Sequence, residues 1–344
     1  MDEKQRGKKL YVVVPCYNEE EVIESSIKKL MDKMRRLIGV NKISASSKLV
    51  FVDDGSCDKT LEILYQEAKR EEMISVISFS TNFGHQCAIL AGMMASVEYA
   101  DMVITIDADL QQDIEVIDDF ITCYEEGCEI VYGIRKDRKT DGFLKKITAT
   151  AYYKLLHWLG CDIMTNHADY RLMSSKAIEA LKQYEETNLF LRGLVPMLGF
   201  QTDVVYFDVK KREAGKSKYT MKKMIKLATD GITSLSVKPL RIIMSLGFLT
   251  CIFGFFMIVF SFVNWLQGNN IPGYTTSILI TLIMSGVTLL SLGIIGEYVG
   301  KIYMETKKRP RYIIKSMIWN EKVVEHKGEV KSFRAVNLKQ EELP

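Results

Sequence analysis

The sequence predicts an α/β domain with a mostly parallel sheet, followed by a two-helix membrane hairpin. Three observations carry this expectation. Short β-branched runs alternate with helix-patterned segments through residues 1–210. Polar residues collect directly after four of those runs. Two long apolar stretches lie further on, at residues 240–266 and 275–299. Strands alternating with helices imply a parallel sheet covered on both faces.

The elements follow in order. Leu10-Tyr11-Val12-Val13-Val14 reads as a strand closed by Pro15. Residues 19–38 have helical spacing, with Val22, Ile27, Leu30, Met34 and Leu37 on one face. Leu49-Val50-Phe51-Val52 is a second strand. Asp53-Asp54-Gly55-Ser56 closes it with turn residues that also suit a helix cap. Residues 59–70 are helical, and Val76-Ile77-Ser78-Phe79 is a third strand. Residues 84–99 form a helix of small residues and Met. The strand Met102-Val103-Ile104-Thr105-Ile106, a helix over 114–126 and the short strand Ile130-Val131-Tyr132 follow.

Each apolar stretch exceeds the roughly 20 residues that cross a bilayer. A buried core helix passes the same test, but two adjacent helices apolar all round favour a membrane. Their connection, Gln267-Gly268-Asn269-Asn270-Ile271-Pro272-Gly273, carries no charge, and Lys and Arg lie on the outer flanks. The positive-inside rule then places both termini in the cytoplasm, with the protein multi-pass in the cytoplasmic membrane. The expected organisation is a cytosolic domain over 1–210, a basic amphipathic juxtamembrane segment over 211–239, the two spans, and a cytosolic tail over 300–344. Residues 145–159 and 219–235 mix basic and apolar side chains. They read as interfacial helices, or as helices packed on the sheet. Their basic residues would also attract anionic headgroups.

Composition excludes several classes. A net charge of +3 is too small to imply nucleic-acid binding. The seven cysteines are odd in number and contain no Cys-x-x-Cys pair, so reduced thiols fit better than disulfides or zinc. The four histidines form no metal-ligand spacing, and residues 1–9 are too polar for a signal peptide. No Gly-x-Gly-x-x-Gly follows the first strand and no Walker A pattern occurs, which disfavours a Rossmann dehydrogenase or a P-loop NTPase. The glycine series Gly293, Gly296, Gly300 lies at the second span and reads as close helix packing.

Asp107-Ala108-Asp109 stands where the fourth strand stops. Two carboxylates this close repel and raise each other's pKa. One reading is a solvated turn. The other is a clamp for a hard divalent metal, Mg²⁺ or Mn²⁺, on a nucleotide diphosphate. Ligands of such sheets bind beyond the C-terminal strand ends. Asn18, Glu19, Asp53, Asp54, Asn82, Asp107 and Asp109 all fall there.

Three segments carry a family likeness: Val13-Val14-Pro15-Cys16-Tyr17-Asn18-Glu19-Glu20, Val52-Asp53-Asp54-Gly55-Ser56, and Ile106-Asp107-Ala108-Asp109-Leu110-Gln111. In order and spacing they resemble the family 2 glycosyltransferases of GT-A fold. Asn82-Phe83-Gly84-His85-Gln86, Asp169-Tyr170-Arg171-Leu172-Met173, Phe190-Leu191-Arg192-Gly193-Leu194 and the segment from Arg212 to Tyr219 are similar to polyprenyl-phosphate glycosyltransferases. These include dolichol-phosphate mannose synthases and bacterial bactoprenol glucosyltransferases of the GtrB type. Two departures stand out. His167-Ala168 replaces a common Thr-Gly before Asp169, and the Gln-x-x-Arg-Trp motif of processive synthases is absent.

The resemblance implies transfer of one sugar from a nucleotide sugar to undecaprenyl phosphate with inversion, making a lipid-linked sugar for the cell envelope. UDP-glucose and UDP-N-acetylglucosamine are the leading donors. It implies that Pro15, Tyr17, Asn18 and Glu19 line the nucleotide pocket, with Asp53 on the base edge and Asp54 and Ser56 nearby. Asp109 would be the primary metal ligand, helped by Asp107, with Ala108 and Gln111 in support. Asp169 is the candidate base, or else orients the acceptor or pairs with Arg171 for structure. Arg135 and Lys145 or Lys146 are candidates for the acceptor phosphate. Arg212, Lys216, Ser217 and Lys218 look like a loop that closes over the diphosphate, and Arg192 faces the nucleotide or is structural. A flippase partner and a homo-oligomer are further implications. The rival readings are a small processive polysaccharide synthase and a nonenzymatic nucleotide-binding scaffold.

Overall fold

The computed structural model describes residues 7–136, 159, 167–187, 189–208, 232–233, 236–267, 273–319, 322–325 and 334–337. The chain divides into two compact units. The first holds the sheet and its helices. The second holds the two long apolar helices.

In the first unit β1 (Leu10–Cys16), β2 (Lys48–Asp53), β3 (Ile74–Phe79) and β4 (Met102–Thr105) alternate with α1 (Ile23–Gly39), α2 (Thr60–Arg70) and α3 (His85–Ser96). These strands match the β-branched runs, because such side chains fit a sheet covered on both faces. A 3-10 turn (Ile114–Val116) then runs into α4 (Ile117–Glu125), and β5 (Ile130–Arg135) follows. Pairing is parallel among β3, β2, β1 and β4.

Successive strand residues point to opposite faces. Leu10, Val12 and Val14 of β1 join Leu49 and Phe51 in one core cluster, with Ile27 and Leu30 of α1. Tyr11 and Val13 join Val50 and Val52 in the other, with Ala88 and Leu90 of α3. Each fully buried large side chain, such as Phe51 or Phe120, contributes about 1.5–3 kcal/mol. The small residues of α3 let it lie close to the sheet. A Cβ at Gly92 would come within 2.3 Å of Val13 Cγ1.

The later part departs from simple alternation. β6 (His167–Ser174) runs antiparallel between β4 and β5. Then come α5 (Ser175–Lys182), α6 (Leu191–Met197) and β7 (Thr202–Phe207), which pairs parallel with β5. Residues 300–344, expected as a tail, contribute β8 (Ile314–Trp319), β9 (Lys322–Glu325) and β10 (Arg334–Asn337). The sheet order is β10-β9-β8-β3-β2-β1-β4-β6-β5-β7. β8 pairs antiparallel with β3 and buries Ile318 and Trp319 in the two core clusters. The mixed composition of that segment hides a strand whose register is set by its pairing with β3 and β9.

In the second unit α7 (Lys238–Leu266) and α8 (Tyr274–Thr306) are 29 and 33 residues long. At 1.5 Å per residue they reach about 44 and 50 Å, beyond the roughly 30 Å of a hydrocarbon core. Phe248, Phe253, Leu289 and Leu290 are more than 60 % exposed, as suits a lipid solvent. Tyr298 Oη donates to the Ser236 carbonyl at 2.6 Å. The close packing expected at Gly293, Gly296 and Gly300 does not occur among the described residues. A Cβ on any of the three would meet nothing within 4 Å.

Candidate active site

β1, β2, β3 and β4 run parallel, so their C-terminal ends share one edge. β6 is antiparallel to β4 and β5 antiparallel to β6, so the start of β6 and the end of β5 reach that edge too. Asp169 near the start of β6 and Arg135 at the end of β5 thereby join the residues after β1, β2 and β4. Parallel sheets bind ligands at this edge.

One half of the edge is a wall of turn residues. Asn18 takes the left-handed conformation (φ 53°), which Asn tolerates better than most residues. Its N–H donates to Ser56 Oγ at 3.0 Å, and its Oδ1 accepts from the Cys57 N–H at 2.8 Å. The Glu19 N–H donates to Thr60 Oγ1 at 2.8 Å. These bonds stitch the turn after β1 to the turn after β2. Gly55 sits at φ 69°, and a Cβ there would lie 2.5 Å from the Thr81 carbonyl carbon. Pro15 is buried within β1 beside Val52, while Tyr17 is 38 % exposed at the mouth.

The two aspartates of the second turn have different tasks. Asp53 is buried and accepts from the Ser56 N–H and from Ser78 Oγ, both at 3.3 Å. Burial pushes its carboxyl above the usual range, against those hydrogen bonds. Asp54 turns to the next loop. It accepts from the N–H groups of Phe83 at 2.7 Å and Gly84 at 2.9 Å. Those two amides lead into α3, whose first residue is His85.

The other half is ionic. Asp107 Oδ1 lies 3.4 Å from His85 Nε2, and Gln112 Nε2 donates to Oδ2. Burial would raise the Asp107 carboxyl, yet the hydrogen bond and charge of His85 hold it below the usual carboxylate range. For His85 burial pulls down, and the Asp107 contact raises the imidazole net above its ordinary value. Asp109 Oδ1 accepts from the Gln111 N–H at 3.2 Å across Leu110, which has φ 44°. Ser26 of α1 donates to the Ala108 carbonyl at 2.6 Å and pins the turn from behind.

Asp169 is the hub. Its carboxylate accepts from Arg171 Nη2 at 2.8 Å and from Arg192 Nε and Nη2 at 3.2 and 2.9 Å. His85 Nε2 lies 3.7 Å from Oδ2, the oxygen that also accepts from Arg192 Nη2. Arg171 is fully buried and Asp169 nearly so, whereas Arg192 is 27 % exposed. Although burial pushes Asp169 upward, the two guanidiniums hold its carboxyl well below the usual range. A carboxylate held this way is a weak base. Gln86 Oε1 accepts from the Leu191 N–H at 3.0 Å, tying the start of α3 to the start of α6 and hence to Arg192.

Sequence pattern brings Asp107, Asp169 and Arg192 forward, and the fold joins them. It does not single out His85, Gln112 and Ser26, and it names Arg171 only as a structural partner of Asp169. His85 stands inside the Asn82-to-Gln86 segment, yet its lack of metal-ligand spacing conceals that it bridges two aspartates. Lys145, Lys146, Arg212, Lys216, Ser217 and Lys218 lie outside the described residues, as do most of residues 145–159 and 219–235.

Asp107 and Asp109 are hard oxygen donors, the type that suits Mg²⁺ or Mn²⁺. Among the described residues no three His, Cys, Asp or Glu side chains converge as a cage.

Residues 11–182 match the glycosyl transferase family 2 description, and residues 238–302 match the GtrB C-terminal hairpin. The uncharacterized glycosyltransferase YkoT of Bacillus subtilis (strain 168) is 44 % identical over 320 residues, covering 93 % of this chain and 95 % of that one. The bactoprenol glucosyl transferase of Shigella phage SfX is 39 % identical over 313 residues, covering 90 % and 99 %. Among solved structures, glucosyl-3-phosphoglycerate synthase from Mycobacterium tuberculosis overlaps with a TM-score of 0.43 at 18 % identity, covering 67 % and 79 %. The chain belongs to glycosyl transferase family 2 and carries a GtrB-type C-terminal hairpin that associates it with a membrane.

Proposed function

We propose that this glycosyltransferase moves one sugar from a nucleotide sugar to undecaprenyl phosphate, with inversion, for cell-envelope glycosylation. The carrying observation is the shared sheet edge. A hydrogen-bonded wall at Asn18, Asp53 and Ser56 stands beside the ionic cluster of His85, Asp107, Asp169 and Arg192. Relatives named bactoprenol glucosyl transferase favour glucose, so UDP-glucose is the first donor to test and UDP-N-acetylglucosamine the second.

An acceptor phosphate oxygen attacks the anomeric carbon. The bond from that carbon to the diphosphate oxygen breaks, and the diphosphate leaves with the bonding electrons. Asp109 and Asp107 would hold Mg²⁺ or Mn²⁺, which would supply Lewis-acid stabilisation of the leaving charge. Pro15, Tyr17, Asn18 and Glu19 line the nucleotide, Asp53 accepts from the base edge, and Gln111 supports the diphosphate end.

The acceptor needs no strong base. A phosphate monoester loses its second proton near pH ~6 and is largely dianionic at neutral pH. Asp169 then acts as the anchor that aims Arg192, whose planar fork suits phosphate oxygens. Arg135, with Lys145 or Lys146, completes the acceptor side, and the loop bearing Arg212, Lys216, Ser217 and Lys218 covers the diphosphate. The charged outer flanks of the spans favour a cytosolic catalytic domain with both termini inside.

The test is to incubate the full-length protein in membranes with a panel of labelled nucleotide sugars, undecaprenyl phosphate and Mg²⁺ or Mn²⁺. One sugar per lipid, lost on chelation, is expected. A ladder of product lengths would favour a processive synthase. Transfer from no donor would overturn the proposal.

A further inference from the structure

We propose that Tyr312, two residues before β8 on the segment that follows the second apolar helix, is a positioning residue for the loop that carries His85. Its ring stacks on Phe79, with centroids 5.1 Å apart and planes 10° from parallel. Phe79 in turn meets Phe83 edge to face at 5.7 Å. Such pairs favour defined ring orientations beyond plain burial. Phe83 is the residue whose N–H is held by Asp54, two positions before His85. Three rings thus run from the segment before β8 to the approach of the ionic cluster.

Backbone contacts fix the same corner. The Ser80 N–H donates to the Ile313 carbonyl at 3.0 Å, where the β3–β8 register shifts. Arg311 donates through Nη2 to the Tyr184 carbonyl, on the segment that leads towards α6 and Arg192. Arg311 therefore holds the segment that leads to Arg192, and Tyr312 packs on the strand end that leads to His85, two of the three partners of Asp169. The loop over 80–84 has few alternatives. The Phe83 and Gly84 amides are taken by Asp54 on one side, and the Phe83 ring is packed on the other. Removing the Tyr312 ring leaves Phe79 without its stacking partner and releases Phe83 to move.

The opposite end of β8 supplies the control. Trp319 packs against Tyr11 and Tyr99, with centroids 6.1 and 5.7 Å away. Its neighbour Ile318 pairs with Val76, towards the start of β3 and away from the ligand edge. Loss of ring packing there weakens the same strand without touching the His85 loop.

The experiment compares Tyr312→Ala, Tyr312→Phe and Trp319→Leu in the full-length protein. Amide hydrogen exchange over residues 80–86, read by mass spectrometry, reports the loop directly and needs no substrate. Tyr312→Ala is expected to speed exchange there about tenfold or more, with Tyr312→Phe near wild type and Trp319→Leu unchanged. Turnover rests on the proposed sugar transfer. There Tyr312→Ala is expected to lower kcat about tenfold, with KM for the nucleotide sugar within about twofold. Wild-type exchange over 80–86 in Tyr312→Ala, or an equal rise in Trp319→Leu, would overturn the positioning role. Absence of transfer by the wild type would sink the sugar-transfer reading and leave the exchange result to decide Tyr312.

Discussion

The two halves of the ligand edge are built by opposite means. The wall at Asn18, Glu19, Asp53 and Ser56 is made of short hydrogen bonds between turns that follow adjacent strands. Its donors are backbone amides and a hydroxyl, and its acceptors are hydroxyls, the Asn18 side-chain carbonyl and the Asp53 carboxylate. The cluster at His85, Asp107, Asp169, Arg171 and Arg192 is made of charges from four separate segments. The wall can lose one bond and keep its shape. Removing Asp169 from the cluster strands the fully buried Arg171, and a buried ion left unpaired costs far more than a lost neutral hydrogen bond.

Substitutions can break or sharpen this contrast. Asp169→Ala should have the largest effect. It leaves Arg171 fully buried without its carboxylate, at a cost of about 3–5 kcal/mol in denaturant unfolding. Adding Arg171→Met should recover much of that stability without recovering activity. No recovery would mean that packing, not charge, dominates the cluster. The sign with pH follows from the depressed carboxyl. The Asp169 contribution is fully present above the unfolded value of about 3.9 and is lost only as pH falls through its folded value.

His85→Ala comes next. It removes the imidazole between Asp107 and Asp169 from a position that is 45 % exposed, so the fold should survive. Sugar transfer should drop about 10- to 100-fold, the range for losing a side chain that orients a metal-binding carboxylate. An equal drop in thermal stability and no specific loss of turnover would make His85 structural. Ser56→Ala is the smallest. It deletes the acceptor for the Asn18 N–H and should cost about 1 kcal/mol, with a modest rise in KM for the nucleotide sugar. A cost as large as that of Asp169→Ala would erase the contrast between the halves.

The wall was the legible half. Its residues follow β-branched runs directly, and Asn, Asp, Gly and Ser there announce turns. Even so, Asp53 and Asp54 are adjacent in sequence and face different loops, one towards Ser56 and Ser78 and one towards Phe83 and Gly84. Nothing in a dipeptide specifies that split. The cluster was half legible. Asp107 and Asp169 stood out, but Arg171 sits in a strand whose antiparallel placement beside β4 no local pattern announces. Residues 314–319 were the least legible, since their pairing with β3 joins segments more than 200 residues apart.

The amino-acid sequence by itself determined the alternating α/β order, the two long apolar helices and the carboxylates at strand ends. Those follow from side-chain periodicity and local turn chemistry, which act within a few residues. Only the tertiary structure decided that Asp169 is gripped by Arg171 and Arg192, that His85 bridges two aspartates, and that Tyr312 stacks on Phe79. Those contacts depend on which strands become neighbours and in which direction they run. That choice is made by burial of the whole sheet, not by any one segment.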